Sequence, residues 1–295
     1  MALGNSAATA KDPGTRAVVT RVLLIGKDPQ LSQPLEQGLT TRNCMFDYAA
    51  GSADALRRLR QVPYAVVITD PRTSIEEDLV LLDEMRAIRP GVRVIVLAPS
   101  GTPEEIIATL RARVFLCKTA PFDPLEIAEY AEQAAASTDS LIGIEVLSAH
   151  RDWVSLRINS QLLTAERLVV FLSEMQTDLP ENPREELMMA FREILINAIE
   201  HGAEFRPGKV IDVAAVHTER TIVFYVHDPG SGFRWESLQH AALANPEGDV
   251  ARHVKLREQK GMRPGGFGIL IAKGVVNELI YSEVGNEVLM IKYLS

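Results

Sequence analysis

Cysteine, aromatic residues and long apolar runs are all scarce in this sequence. The two cysteines, Cys44 and Cys117, are too few and too far apart for a metal-ligand cluster and read as core thiols in a reducing compartment. No stretch approaches the roughly 18 uninterrupted apolar residues of a membrane helix, and the first residues lack the basic-then-apolar order of a signal peptide. The expectation is a cytoplasmic protein with no membrane partner. Basic residues are in deficit: 31 Lys plus Arg against 39 Asp plus Glu leave a net charge of −8, which argues against non-specific nucleic-acid binding. There is no helix-turn-helix signature, so no direct nucleic-acid partner is expected. What is present is an ordinary globular composition, 46% apolar and 24% charged over 295 residues. At about 150 residues per domain, that length provides for two domains with a core each.

The apolar pattern divides the chain. Residues 1–19 show no periodicity and read as a disordered tail. Residues 20–137 alternate strand-sized apolar runs (Val22 to Ile25, Met45 to Tyr48, Ala65 to Thr69, Val92 to Ala98, Val114 to Cys117) with five helix-period stretches. That order predicts a doubly wound parallel sheet, an α/β flavodoxin-like domain. A small, polar linker at 138–142 follows. Residues 143–295 change pattern: paired strands with helices grouped between them predict a mixed or antiparallel sheet with helices on one face, an α/β sandwich. Residues 20–137 carry 13 basic and 16 acidic residues and residues 138–295 carry 16 and 22, so neither is electrostatically unusual.

The second block carries the chemistry. In the helix predicted from Pro183, Leu187, Phe191, Ile194, Leu195 and Ala198 form one apolar stripe, with Glu186, Glu193, Asn197 and Glu200 on the other side. Taken alone, that polar side is a solvated face. Two glycine-bearing segments change the reading: His227-Asp228-Pro229-Gly230-Ser231-Gly232 directly after a strand, and Arg263-Pro264-Gly265-Gly266-Phe267-Gly268 directly before a helix. Glycines after a strand allow close backbone approach, and glycines leading into a helix expose N–H groups to phosphate. Between them, Arg252, Lys255, Arg257, Lys260 and Arg263 form a basic loop suited to covering a triphosphate.

Glu193-x-x-x-Asn197-x-x-x-His201, Asp228-x-Gly230-x-Gly232 and Gly265-Gly266-x-Gly268, in that order, resemble the three boxes of the GHKL (Bergerat) ATP-binding fold. Within that superfamily, the block from about Ile142 resembles the serine kinases that act as bacterial anti-sigma factors. The resemblance implies ATP and Mg²⁺ as cofactors, with Asn197 holding Mg²⁺ and Asp228 accepting a hydrogen bond from the adenine amino group. It further implies that Gly230 and Gly232 shape the adenine pocket, that Gly265, Gly266 and Gly268 carry the phosphates, and that Glu193 is general base toward a target serine. His201 reads as a packed helix-end residue, with Gly202 as the helix cap. The implied function is a protein serine kinase in a partner-switching pathway, whose partner is an anti-anti-sigma-like antagonist or a sigma factor. The alternative is a non-catalytic ATP-binding module that sequesters such a regulator. A histidine kinase lacks support, since the only histidine before the ATP block is His150, in a short loop between predicted strands.

Residues 20–137 resemble the receiver domain of response regulators, in Arg21 to Ile25, Val66 to Asp70 and Pro121-Phe122. Asp70 stands at the phosphoacceptor position. The acidic pair expected after the first strand is replaced by Gly26 and Lys27, with only Asp28 beside it, and the hydroxyl residue after the fourth strand is Ala98. Lys118 is a candidate for the receiver lysine, set off from Pro121 by Thr119 and Ala120. A cation beside Asp70 would be opposed by Lys27, so the expectation is an inactive, protein-binding receiver that docks partners or forms a homodimer through its fourth and fifth strands and last helix.

Overall fold

The computed structural model describes residues 20–137, 143–176, 179–232 and 268–294. The expected tail at 1–19, the linker at 138–142, the basic loop, Gly265 and Gly266 lie outside the described residues.

The first sheet has five parallel strands, β1 (Thr20–Ile25), β2 (Cys44–Ala49), β3 (Val66–Ile68), β4 (Arg93–Ala98) and β5 (Leu116–Thr119), in the order β2-β1-β3-β4-β5. Helices α1 (Pro29–Thr41), α2 (Ser52–Gln61), α3 (Ile75–Ile88), α4 (Pro103–Arg111) and α5 (Pro124–Ala136) cover both faces. The strands are near-continuous apolar runs because both faces are buried. Leu23, Val67 and Val94 point to one side and Val22, Leu24 and Ile95 to the other. Two helices start on full capping boxes, Ser74 with Glu77 in α3 and Thr102 with Glu105 in α4. The fifth strand begins two residues later than the apolar run at Val114 suggests. Arg113 takes a left-handed turn at φ 55° and the Val114 amide bonds back to Thr109, so the end of α4 consumes that residue.

The second sheet has six antiparallel strands, β6 (Ile144–His150), β7 (Trp153–Asn159), β8 (Val210–Thr218), β9 (Thr221–His227), β10 (Glu278–Tyr281) and β11 (Glu287–Tyr293), ordered β10-β11-β9-β8-β7-β6. Alternation along β7, β8 and β9 buries Leu156, Val213 and Phe224 on the face covered by α6 (Leu162–Glu174) and α7 (Glu181–Asn197). Phe191 of α7 stacks on Phe224 at 4.6 Å between ring centroids. A short helix, α8 (Gly268–Val275), lies against α7. The helix expected from Pro183 to His201 is two pieces, because α7 passes at Asn197 into a π-helical turn over Ala198–Ala203.

The cores of the two sheets are continuous. One cluster runs from Val94, Ile106 and Cys117 of the first domain to Leu168, Phe171 and Leu172 of α6 in the second. Cys44 and Cys117 are both free and buried, as expected, and burial pushes the Cys117 thiol up to about 12.

Candidate functional site

The apolar stripe of α7 is buried as its periodicity predicts, which turns the flank carrying Glu193 and Asn197 toward the start of α8. Both side chains are half-buried there and are not part of a solvated face, whereas Glu186 is exposed. A Cβ built on Gly268 would stand 2.8 Å from Glu193 Oε2 and 3.5 Å from Asn197 Nδ2. The carboxylate, the amide and the N-terminal turn of α8 therefore share one small space.

Asp228 sits just past β9. Its amide donates to the Asn286 carbonyl at 3.0 Å, and its Oδ1 accepts from the Gly230 amide at 2.8 Å. Burial raises the Asp228 carboxyl above the usual carboxylate range, offset in part by the Gly230 N–H and by His227. Gly202 and Gly230 close on it from two sides: a Cβ on Gly202 would overlap Oδ1, and one on Gly230 would lie 2.7 Å from it. Gly232 holds φ +74°, and a Cβ there would overlap the Val284 carbonyl.

Two expectations are corrected. Gly202 is not a helix cap. The left-handed residue ending the π-helical turn is Glu204, at φ 53°, and Gly202 is instead required by the approach of Asp228. His201 is not packed, since its side chain is 42% exposed, with Nε2 4.0 Å from Glu200 Oε1. Sequence reasoning missed Asn286, whose Nδ2 donates to the carbonyls of Asp228 at 3.3 Å and Gly230 at 3.4 Å and so fixes the glycine turn. It also missed the half-buried Tyr281, whose hydroxyl is pushed up chiefly by burial and further by the charge of Asp228. Both lie more than 50 residues from Asp228 in sequence, Tyr281 at the end of β10 and Asn286 in the turn before β11, and no local pattern declares their approach to Asp228.

In the first domain, Asp70 follows β3 at the carboxyl edge of the sheet, where open α/β folds place their ligands. Arg72 grips it in a fork, Nε to Oδ1 at 2.9 Å and Nη2 to Oδ2 at 2.7 Å, and its backbone amide adds a bond of 3.1 Å. That guanidinium holds the carboxyl below its ordinary value. Gly26, at φ +85°, lies so close that a Cβ would overlap Asp70 Oδ2. Lys27 lies over the Tyr48 ring at 5.3 Å, and Asp28 caps α1 by accepting from Gln30. Lys118 pairs with Glu126 at 3.2 Å. Among the described residues, no group of three or more His, Cys, Asp or Glu side chains is gathered to hold a metal. None of their helices is long and apolar enough to cross a membrane.

The strand order 2-1-3-4-5 with helices on both faces defines a flavodoxin-like fold of the receiver type. The antiparallel sheet, with helices on one face and a glycine-lined carboxylate after β9, defines a second α/β unit of different topology. Residues 159–292 match the family described as the histidine kinase-like ATPase domain, and an ATPase domain implies ATP binding. The first domain is similar to the transcriptional regulatory protein GlrR of Escherichia coli, 30% identical over 122 residues, covering 40% of this chain and 28% of that protein. The same values hold for QseF of another Escherichia coli strain, so the chain spans 28% of the length of these curated relatives. Among solved structures, a response regulator from Thermotoga maritima is 20% identical, with 41% of this chain and 100% of that chain covered at a TM-score of 0.37. A receiver domain protein from Methanospirillum hungatei is 19% identical, with 40% and 94% covered at a TM-score of 0.36. The protein thus joins a receiver fold to a histidine kinase-like ATPase domain, the composition of a signalling regulator.

Proposed function

We propose that the chain is an ATP- and Mg²⁺-dependent protein serine kinase of a partner-switching pathway. The observation that carries this reading is the meeting of Glu193 and Asn197, one helical turn apart, at the start of α8 beside Gly268. Bound ATP would supply the phosphoryl group. Asp228 would recognise the adenine amino group, Gly268 with Gly265 and Gly266 would lie along the phosphates, and Asn197 would hold Mg²⁺. Glu193 is placed to accept the proton of an incoming serine hydroxyl, a role that needs a carboxylate near the phosphates but outside the metal's ligand set. The partner would be an anti-anti-sigma-like antagonist or a sigma factor. Asp70 serves this reading as a structural carboxylate, its charge met by Arg72, and the receiver domain as a docking element.

Glu193→Ala is expected to keep ATP affinity and lose transfer of labelled phosphate to a serine-bearing partner captured from the native cell. Asn197→Ala is expected to weaken Mg²⁺-dependent ATP binding itself. A wild-type protein that holds its partner in an ATP-dependent way yet transfers nothing would overturn the kinase in favour of the sequestering module. Calorimetry showing no ATP binding by the full chain would overturn both.

A further inference from the structure

The contact between the two domains is built from buried charged side chains outside the nucleotide site. Arg167 of α6 is 3% exposed. Its Nε donates to the Phe115 carbonyl at 2.6 Å and its Nη2 to the Val114 carbonyl at 3.5 Å, with the guanidinium 4.4 Å over the Phe115 ring. Two turns further along, Glu174, 8% exposed, accepts from the Thr119 amide at 3.1 Å and from its hydroxyl at 2.5 Å. β5 is the last strand of its sheet, so its outer edge has no strand partner. Helix α6 satisfies that edge with side chains at both ends. The β5 edge is one part of the surface expected from the sequence to meet a partner or a second copy, and α6 of the same chain covers that edge.

The neighbour of Arg167 on α6 faces the other way. Glu166 Oε1 accepts from Arg192 Nη2 at 2.9 Å, and Arg192 Nη1 lies 3.6 Å from Glu193 Oε1. The other oxygen of Glu193, Oε2, is the one that faces Gly268. One carboxylate oxygen is therefore turned to the cation and the other to the phosphate end of the site. Ion pairs this exposed add little to stability, but a planar guanidinium shared by two carboxylates restricts how each can turn.

We propose that Glu166 and Arg192 are positioning residues, through which the docking of α6 on the β5 edge sets the orientation of the Glu193 carboxylate at the start of α8. The proposal rests on the reading of Glu193 as general base. It makes the receiver domain a brace for the base and assigns its β5 edge to α6 of the same chain. A carboxylate that accepts a proton must be aimed, and small misplacements of such groups are costly in rate while leaving ligand binding nearly intact.

The test uses the full chain with Arg192→Met, Arg192→Lys and Glu174→Leu. Three quantities are read: affinity for ATP with Mg²⁺ by calorimetry, phosphate transfer at saturating ATP, and amide hydrogen exchange across α6 and across residues 187–197 of α7. Arg192→Met is expected to cut transfer about tenfold or more while ATP affinity stays within about twofold, and Arg192→Lys to recover part of the rate. Glu174→Leu, at the domain contact, is expected to lower transfer in the same direction and to speed exchange in α7 as well as in α6. Transfer unchanged in Arg192→Met, or exchange in Glu174→Leu raised in α6 alone, would overturn the proposal. Should the wild type transfer nothing, the kinase reading fails, and the exchange result still decides whether the domain contact reaches α7.

Discussion

At the scale of single residues, the site is governed by how closely backbone approaches carboxylate. Gly202→Ala places a methyl where Asp228 Oδ1 lies, so the carboxylate must turn away from its bond with the Gly230 amide. Asp228→Asn keeps the shape and removes the charge, a loss of about 1.5–3 kcal/mol, or roughly tenfold or more in ATP affinity. Both variants are expected to bind ATP more weakly by calorimetry, and a Gly202→Ala protein with wild-type affinity would show that Asp228 does not read the ligand. Asp78 makes a second residue-scale prediction. It is 2% exposed, accepts from Thr69 Oγ1 at 2.6 Å and Thr73 Oγ1 at 2.8 Å, and burial pushes its carboxyl up to about 6. A carboxyl raised above its unfolded value binds more protons in the folded state, so its contribution is full below about pH 4 and is lost as pH rises through about 6. The loss over two pKa steps is about 3 kcal/mol. Asp78→Asn cannot titrate, so its stability relative to wild type should improve by about that amount between pH 4 and pH 7 in urea unfolding. An identical difference at both pH values would refute the assignment. Glu193, Asn197 and Asp228 were legible because each sits in a short motif. Asn286, Tyr281 and the true part played by Gly202 were not, because each acts through a contact between segments far apart in the chain.

At the scale of elements, apolar periodicity was enough to announce the alternation of strands and helices in the first domain, and α3 spans Ile75–Ile88. Its capping box makes that start energetically definite: Ser74 Oγ accepts from the Glu77 amide at 3.2 Å while the Glu77 carboxylate accepts from the Ser74 amide at 3.0 Å. Thr102 and Glu105 repeat the arrangement in α4. Ser74→Ala and Thr102→Ala should each cost about 0.5–2 kcal/mol in urea unfolding, and a change below about 0.3 kcal/mol would mean that water replaces the cap at no loss. The π-helical turn after α7 was illegible because Ala198 to Gly202 continue an ordinary helical pattern. Within that turn Gly202 meets Asp228, which stands just past β9, a contact that no pattern within the helix declares.

At the scale of the whole molecule, composition and pattern announced two domains but not that they share a core. The side chains that join them, Arg167 and Glu174, are charged and yet buried, and no local motif singles them out. Burial pushes the Arg167 guanidinium down to about 9, so it stays charged at neutral pH while its donors meet the Phe115 and Val114 carbonyls. A contact of this kind should make the domains unfold together. Both cysteines, Cys44 and Cys117, lie in the first domain, and both tryptophans, Trp153 and Trp235, come after residue 143. Thiol labelling and tryptophan fluorescence therefore report on separate halves of the chain, and their urea transitions should coincide; midpoints separated by about 1 M or more would show independent domains. The same contact bears on how the protein is made. Thr119 and Glu174 are 55 residues apart in the chain. At about 5–20 residues per second, a ribosome leaves the completed five-stranded sheet with its last edge bare for about 3 to 11 s before α6 has been synthesised. During that interval the nascent domain presents an unpaired strand to the crowded cell, so slowing translation between the two domains should increase the burden on chaperones without any change in the finished molecule.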